Sequence, residues 1–450
     1  MQQDLTQGPI RAGLIRFCLP LIAGNLLQQL YNVVDTWVVG RFVGQEALAS
    51  VGSAYSLLSL LTSVILGLCM GSGVVFSQLF GAGKREEMRR AMGTSLVLTA
   101  SACMMLTAAS CALIGPIMGW MNIPDSVTPG LTVYLRIVLP GMLATFVYNY
   151  MAAALRSVGN SVTPLVFLTV STTVNIVLDL VTVVGLGLGI AGAAWATLIA
   201  QCVSAAGVTV WALRHMRDQL PAAAHLRIDR RMLRRIASVS SLTSFQQSIM
   251  NFGILMIQSL VNSFGVTVMA AFAAGVKIDA FAYAPAQDFA NGYATFISQN
   301  TGAKKPGRVR SGMKNAFAIS LGFCMIVSAL VGMNARALMS LFIDPAQEEV
   351  IAVGVHYLRT EGLCYVGIGT LFLLYASYRA VEKAGMSVVL TVISLGLRVL
   401  IGYTFAPIFG VDAIWWAIPI GWAAADAVGI AGLPRLLRSL ERRARTAEAG

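Results

Sequence analysis

The sequence predicts an all-α membrane protein in which twelve transmembrane helices form two six-helix bundles. Three observations support this fold class: a shortage of charged residues, a succession of long apolar segments and a repeat that relates the two halves. The chain has 450 residues, of which 57% are hydrophobic and only 12% are charged, and its mean hydropathy is +0.74. Soluble domains carry about 25% charged residues, so lipid is expected to cover much of this protein's surface.

The apolar segments are long enough to cross a bilayer. A spanning helix needs about 20 apolar residues, because lipid offers no hydrogen-bond partner to an open backbone. We predict spans at residues 14–39, 48–79, 92–115, 131–154, 163–185, 190–213, 236–262, 266–296, 314–340, 355–378, 386–406 and 413–434.

The basic residues indicate how these spans are oriented. When both termini are placed in the cytoplasm, most of the 32 Lys and Arg residues fall in inside loops. The outside loops then hold only Arg41 and Arg336. This distribution obeys the positive-inside rule and supports an even number of spans. We therefore expect a multi-pass protein of the cytoplasmic (inner) membrane with both termini cytoplasmic.

An internal repeat divides the chain into two halves. The segment SQLFGAGKREEMRRAM, which begins at Ser77, resembles SQNTGAKKPGRVRSGM, which begins at Ser298, and each follows the second span of its half. The predicted domains are an N-terminal bundle at 1–213, a basic cytoplasmic linker at 214–235, a C-terminal bundle at 236–434 and a basic tail at 435–450. Because six spans return the chain to the same side, the repeat is parallel and substrate would bind between the halves.

Composition and spacing argue against several other classes of protein. The seven cysteines lie in apolar stretches without a CxxC pair, and the three histidines are far apart, so no metal site is expected. The basic residues are spread over short loops, which argues against nucleic acid as a partner. The N-terminus runs directly into a long apolar segment, so no removed signal peptide is expected.

Acidic residues inside spans mark the candidate functional site, because a carboxylate at the bilayer centre costs about 2.5–3.5 kcal/mol. Asp35 lies on the first span and Asp179 on the fifth. Each belongs to a polar stripe with helical spacing, and a stripe of this kind is either interhelical glue or a binding surface. The stripes comprise Asn25, Gln28, Asn32 and Asp35 on the first span, and Thr172, Asn175, Asp179 and Thr182 on the fifth.

Two carboxylates that share a dry cavity should not both remain ionised, and they would titrate as a coupled pair. That behaviour suits the binding and release of a proton, and the same oxygens could hold sodium instead. The coupling ion is therefore H⁺ or Na⁺, and no other cofactor is expected. Pro20 interrupts the first span upstream of Asp35, and we predict a hinge there.

The second half lacks the same arrangement, because Ile254 stands at the position that corresponds to Asp35. Its spans carry other charged residues, for which buried ion pairs such as Arg398 with Asp279 or Glu361 and a gating or substrate role both remain open. These candidates are Lys277, Asp279, Asp288, Glu361 and Arg398.

Several segments resemble the multidrug and toxic compound extrusion (MATE) family. They are the opening run GPIRAGLIRFCLPLIAGNLLQQLYNVVDTWVVGRFVGQEALASVG, then SQLFGAGKREE, ALRSVGNSVTP, NIVLDLV and GIAGAAWATLIAQ, and in the second half SQNTGAKKPGRVRSGM. The chain is most similar to the DinF-like branch, because Ile254 departs from the acidic pattern of the NorM-like, sodium-site branch.

The resemblance implies two bundles around a V-shaped central cavity and export of drugs against an inward flow of protons or sodium. It places the first-half cation site at Asp35, Asn175 and Asp179, with Thr197 on the sixth span as a weaker correspondence. We expect small organic, often cationic and amphipathic, substrates in a lipid environment, and a monomer.

Three alternative functions are less consistent with the sequence. A lipid-linked precursor flippase of the same superfamily would need a cationic cavity. Only Lys277 and Arg398 support such a cavity. A membrane enzyme is disfavoured, because HExxH, DDxxD-type and nucleophile-elbow motifs are missing from the sequence. A structural or receptor-like bundle would not need two ionisable stripes in one half.

Overall fold

The computed structural model describes residues 3–120, 123 and 126–448. In these residues the chain forms α-helices joined by short connections, and no β-strand is found among them. The helices are α1 (Ile10–Phe42), α2 (Gln45–Gly81), α3 (Arg85–Ala112), α4 (Ile114–Trp120), α5 (Thr128–Ser157), α6 (Val162–Asp179), α7 (Gly189–His215), α8 (Arg230–Asn262), α9 (Val266–Gly302), α10 (Pro306–Met339), α11 (Glu348–Gly362), α12 (Tyr365–Ala380), α13 (Ala384–Phe409) and α14 (Val411–Glu448).

Every predicted span overlaps a helix of the structure. Within the described residues, ten helices are long and apolar enough to cross a membrane. The tenth predicted span consists of α11 and α12, which are bent by 49° at a short break and count as one further span. The seventh predicted span corresponds to α8, whose first half contains a polar run at residues 238–248 and is therefore less apolar than the others.

The end of the fifth predicted span has an unusual backbone. Directly after Asp179, α6 continues as a π-helical turn, Leu180–Gly185. Gly187 and Gly189 follow with φ angles of 65° and 57°, a left-handed conformation that glycine adopts without a steric penalty. This tight connection returns the chain to α7, so that α6 and α7 pack side by side. π-Turns of this kind occur frequently at functional sites.

The first of two compact units contains residue 3 and residues 23–244. Its core is built from apolar side chains of α2, α3, α5 and α7, for example Phe76, Leu139 and Tyr150. The predicted linker is held against α3 in this unit. The Arg89 Nε donates to the Leu220 carbonyl at 3.0 Å, and His225 Nε2 lies 2.8 Å from Glu86 Oε1.

The second compact unit contains residues 4–22 and the described residues from 245 onward. Its core surrounds Phe272, Tyr293 and Trp415. The N-terminal residues 4–22 group with this unit and not with the predicted N-terminal bundle, because their backbone forms hydrogen bonds with side chains of α9 and α10. Leu5 N donates to Gln299 Oε1 at 3.2 Å, and Arg308 donates to the carbonyl of Leu5 at 3.1 Å.

Small residues allow α2 and α8 to pack closely within the first unit. A Cβ atom added to Gly71 would lie 2.4 Å from the Cα of Ser240, which is closer than real side chains approach. The hydroxyls of Ser72 and Ser240 lie 3.2 Å apart, and Ser95 on α3 donates to Ser72 at 2.7 Å. Close backbone approach and hydroxyl bonds of this kind stabilise helix pairs in membranes, where lipid removes the hydrophobic driving force.

We therefore expect Gly71→Ala to lower the free energy of unfolding by about 1–3 kcal/mol, because the added methyl group must push α2 and α8 apart. Thermal unfolding of the detergent-solubilised protein measures this change. Gly322→Ala on α10 is the matched control, since no atom lies within 4 Å of its added Cβ. Equal stability of the two variants would show that the α2–α8 contact does not limit packing.

Candidate cation-coupling site

Asp35 and Asp179 lie together in the first unit, although 144 positions separate them in the sequence. Asp35 on α1 is 7% exposed, and Asp179 at the end of α6 is fully buried. Their carboxyl groups lie within hydrogen-bonding reach of each other. The Oδ1 atom of each carboxyl is buried without a hydrogen-bond partner. Each acid therefore has one buried oxygen that no protein donor satisfies.

Asn175 joins the acid pair to α7. It precedes Asp179 by one helical turn, so both side chains lie on the same face of α6. With its amide oriented to satisfy both neighbours, Asn175 donates to Asp179 Oδ2 at 3.1 Å and accepts from the backbone N–H of Thr197 at 3.3 Å. This bridge fixes the position of the Asp179 carboxyl relative to α7, which the π-helical turn holds beside α6.

Two tyrosines complete the cluster, and neither was predicted from the sequence. The Tyr31 hydroxyl lies 3.4 Å from Thr197 Oγ1 and acts electrostatically on Asp35 and Asp179. Tyr134 on α5 lies within hydrogen-bonding reach of the Thr197 side chain and interacts electrostatically with the same two acids. Tyr31 precedes Asp35 by one helical turn, and that spacing could have identified it. Tyr134 carries no local signal, because its partners lie on other helices.

The polar stripe of α1 does not enter the cluster as a whole. Gln28 is exposed and Asn32 is half-buried, whereas Asp35 alone is buried. On α6, Asn175 and Asp179 are buried and Thr172 is half-buried. Pro20 lies inside the continuous helix α1, and its role as a hinge stays a prediction.

This donor set can hold a proton or a small hard cation. Carboxylate, amide and hydroxyl oxygens are the ligands that sodium and other hard cations prefer, and a proton can bridge two carboxyls directly. The described residues contain no group of three or more His, Cys, Asp or Glu side chains that could hold a metal ion.

The second unit gathers some of its predicted charged residues and leaves others apart. Asp279 on α9 and Glu361 on α11 are buried, at 1% and 3% exposure. Arg398 on α13 acts electrostatically on both acids. Lys277 is exposed and Asp288 is half-buried, so they do not share one buried site with this group.

The expected direct ion pair between Arg398 and an acid is not present among the described residues. Both oxygens of Asp279 instead accept hydrogen bonds from tyrosines: Tyr357 donates to Oδ2 at 2.5 Å, and Tyr365 donates to Oδ1. Arg398 acts on Asp279 and Glu361 electrostatically, and its Nε has no hydrogen-bond partner.

Comparison with known proteins identifies the family. The family model MatE matches the chain twice, at residues 20–181 and 243–404. The chain belongs to the MatE family. The two matches correspond to the two halves of the repeat, and they make the protein a multi-pass membrane transporter and not an enzyme. The comparisons do not distinguish the branch within the MatE family, so the DinF-like assignment stays a prediction.

The similarity to related proteins and to solved structures extends over nearly the whole chain. The chain is 26% identical over 406 residues to the probable multidrug resistance protein YpnP of Bacillus subtilis, covering 90% of each protein. It is 24% identical over 433 residues to an FAD transporter of Shewanella oneidensis, covering 93% of each. A crystal structure of a MATE protein in complex with MaL6 superposes with a TM-score of 0.92 and 22% identity, covering 97% of this chain and 98% of that one.

We expect Asn175→Leu to lower the free energy of unfolding by about 1–3 kcal/mol, because the Asp179 carboxyl and the Thr197 N–H lose a buried partner. Thermal unfolding followed by circular dichroism measures the change. Thr173→Val on the exposed face of α6 is the control, since its hydroxyl bonds only to the Thr169 carbonyl. Identical unfolding temperatures for the two variants would contradict the bridging role of Asn175.

Proposed function

We propose that this MatE protein is a secondary active antiporter that exports small organic compounds in exchange for a cation bound by Asp35 and Asp179. The observation that carries this proposal is the buried pair of carboxyl groups, each with an Oδ1 atom that lacks a hydrogen-bond partner. Ionisable groups within membrane spans are costly and mark ion or substrate pathways.

The physics of the pair links it to cation binding. Two carboxylates within hydrogen-bonding reach in a medium of low dielectric constant repel each other strongly, and neither is well solvated. A proton or a sodium ion between them removes both penalties. Occupancy of the site therefore depends on whether it communicates with the proton-rich or sodium-rich side, which is the property that ion-coupled exchange requires.

Asn175, Thr197 and Tyr31 would set the geometry of the bound state. Their amide and hydroxyl groups supply additional oxygen ligands for sodium, or hydrogen bonds to the protonated form of the pair. Both ions therefore remain candidates. Direct measurement distinguishes the two ions. Replacing external Na⁺ with a bulky organic cation would reduce sodium-coupled transport and leave proton-coupled transport unchanged.

The substrate class follows from charge and from the named relatives. An acidic cluster attracts organic cations, and the Bacillus subtilis relative is named as a probable multidrug resistance protein. The relative named as an FAD transporter points to a second, anionic class. A lipid-linked precursor flippase, which would also carry an anion, is less well supported, because the first-unit cluster contains two acids and no basic side chain among its members.

The basic loops set the proposed orientation. Both termini lie in the cytoplasm of a bacterial cell, in the inner membrane, and the first-unit site takes up its cation from the outside. We also propose that the protein acts as a monomer with lipid around it.

We expect Asp35→Asn and Asp179→Asn each to reduce gradient-driven export at least tenfold, because an amide cannot exchange a proton or neutralise sodium. Purified protein is reconstituted in liposomes, and the flux of a fluorescent organic cation is recorded under an imposed pH gradient and, separately, under a sodium gradient. Asp412→Asn is the control, since this carboxyl is exposed at the start of α14 and bonds to His356.

The two gradients and the variants separate the possible outcomes. Flux driven by pH alone identifies a proton, and flux driven by sodium alone identifies sodium. If neither gradient drives flux of native protein, the exporter proposal fails for this substrate class and a flippase becomes the better reading. If native flux is driven but both Asp variants retain it, the coupling site lies elsewhere.

A further inference from the structure

The last helix of the second unit is longer than a membrane span requires. α14 runs from Val411 to Glu448, which is 38 residues and about 57 Å at the rise of an α-helix. A bilayer is about 40–45 Å thick when its polar headgroup regions are included. The final turns of α14 therefore emerge at a membrane surface, and the proposed antiport does not use them.

A neighbouring helix connection places this membrane surface close to Gly432. The Tyr378 hydroxyl near the end of α12 donates to the Gly429 carbonyl at 2.7 Å, and a Cβ atom added to Gly432 would collide with the same hydroxyl. The turn 381–383 between α12 and α13 follows directly. Because lipid cannot satisfy the open backbone of such a turn, it marks the edge of the hydrocarbon region. Residues of α14 beyond Gly432 lie at or outside that edge.

The other end of α14 gives the same depth. Trp416 is 52% exposed, and tryptophans on the lipid-facing surface are typical of the membrane interface. About 20 residues of helix cross a hydrocarbon core of about 30 Å, which brings the chain from Trp416 to the opposite interface near Leu436. Both ends of the helix therefore place the residues from Arg435 onward at the depth of the lipid headgroups.

The residues at this depth carry a row of positive charges. Residues 435–446 contain five arginines and one acid, Glu441. Four of the arginines stand at i, i+3, i+7 and i+10, a spacing that puts them on one face of a helix. This arginine stripe consists of Arg435, Arg438, Arg442 and Arg445, all of which are exposed.

The opposite face of the same turns is packed against protein. Leu436, Leu440 and Ala444 are buried, at 1%, 7% and 6% exposure. Leu436 and Leu440 belong to the core of the second unit. Burial of one face fixes the rotation of an amphipathic helix about its axis. The arginine stripe is therefore held on the outer face of the unit in a defined orientation.

The charge of the stripe is not compensated within the described part of the protein. Among the described side chains, the stripe makes one hydrogen bond, from Arg438 Nε to the Pro434 carbonyl at 3.3 Å. Arginine stays charged over the whole physiological pH range. Its planar guanidinium binds phosphate oxygens through two parallel N–H bonds. The stripe extends over about 15 Å of helix, so its complement is a row of phosphate groups.

We propose that the arginine stripe binds the headgroups of anionic phospholipids at the membrane surface where α14 emerges. Arg435 and Arg438 lie at the depth of the phosphate groups. Arg445 lies about 11 Å further along the helix, and its long side chain keeps its charge within about one Debye length, 8–10 Å, of the lipid surface. Zwitterionic lipids carry an amine that cancels their phosphate charge, so the stripe selects anionic lipids over them.

The position of the stripe favours lipid over a soluble anion. The helix that carries it is continuous with a membrane span, so lipid phosphates surround it at high local concentration whenever the protein is in a membrane. A free phosphate or a nucleic acid would have to compete with these groups at a surface of its own charge sign. The inference does not depend on the coupling ion or on the exported substrate.

Lipid binding to the purified full-length protein in detergent tests the stripe. Fluorescence anisotropy records the binding of phosphatidylglycerol and of phosphatidylcholine, each labelled on an acyl chain. We expect native protein to bind phosphatidylglycerol at least about tenfold more tightly, since each arginine near an anionic surface contributes about fivefold. Combining Arg435→Gln, Arg438→Gln, Arg442→Gln and Arg445→Gln should remove this preference.

A second set of substitutions provides the matched control. Four arginines of the basic linker are also exposed, and replacing them removes the same number of charges. The control protein combines Arg217→Gln, Arg227→Gln, Arg230→Gln and Arg231→Gln. Its affinity for phosphatidylglycerol should stay within about twofold of native protein, because these charges lie outside the stripe.

A conservative variant separates lost charge from misfolding. Replacing the four stripe arginines by lysine keeps the charge, so this protein should still prefer phosphatidylglycerol, and circular dichroism should show the same unfolding temperature for all variants. Equal affinity of native protein for the two lipids, or an equal loss in the linker control, would overturn the proposal. Displacement of the labelled lipid by an equal concentration of inorganic phosphate would also overturn it, because the site would then be one for soluble anions.

Discussion

The central constraint in this protein is the cost of placing carboxyl groups inside the membrane. A buried acid must be neutralised, hydrogen-bonded or both, because lipid and packed side chains cannot solvate its charge. The first unit meets this requirement by bringing Asp35 and Asp179 together beside Asn175. Each acid retains an oxygen with no partner, and in the proposed function a cation completes the site. A pair of this kind is suited to ion-coupled transport.

The second unit meets the same constraint in a different way. Two tyrosine hydroxyls donate hydrogen bonds to Asp279, and Arg398 acts on it electrostatically. The two halves therefore share their helical arrangement but not their acidic site. Ile254, which is 40% exposed, stands at the position that corresponds to Asp35.

Much of the fold and part of the site could be predicted from the sequence. The spans were predicted because long apolar segments and the placement of basic residues are strong signals, and Asp35, Asn175 and Asp179 were singled out because polar residues are rare in spans. Tyr134 was missed, since a tyrosine in a span resembles a packing residue until its partners are known. The direct pairing of Arg398 was wrong. It was inferred from opposite charges within one half, and charge alone does not show which hydroxyls from other helices bond to a carboxylate.

The number of protons released when substrate binds tests the central claim most directly. A fluorescent organic cation is added to purified protein in weakly buffered detergent solution containing a pH indicator, with and without sodium. If Asp35 and Asp179 hold a proton that the substrate displaces, the native protein releases protons in proportion to bound ligand and Asp179→Asn releases fewer. A sodium-coupled pair would instead release protons only when sodium is absent. Ligand binding that leaves the proton count at zero in both solutions, or equal counts in native and variant protein, would contradict a coupling role for the acid pair.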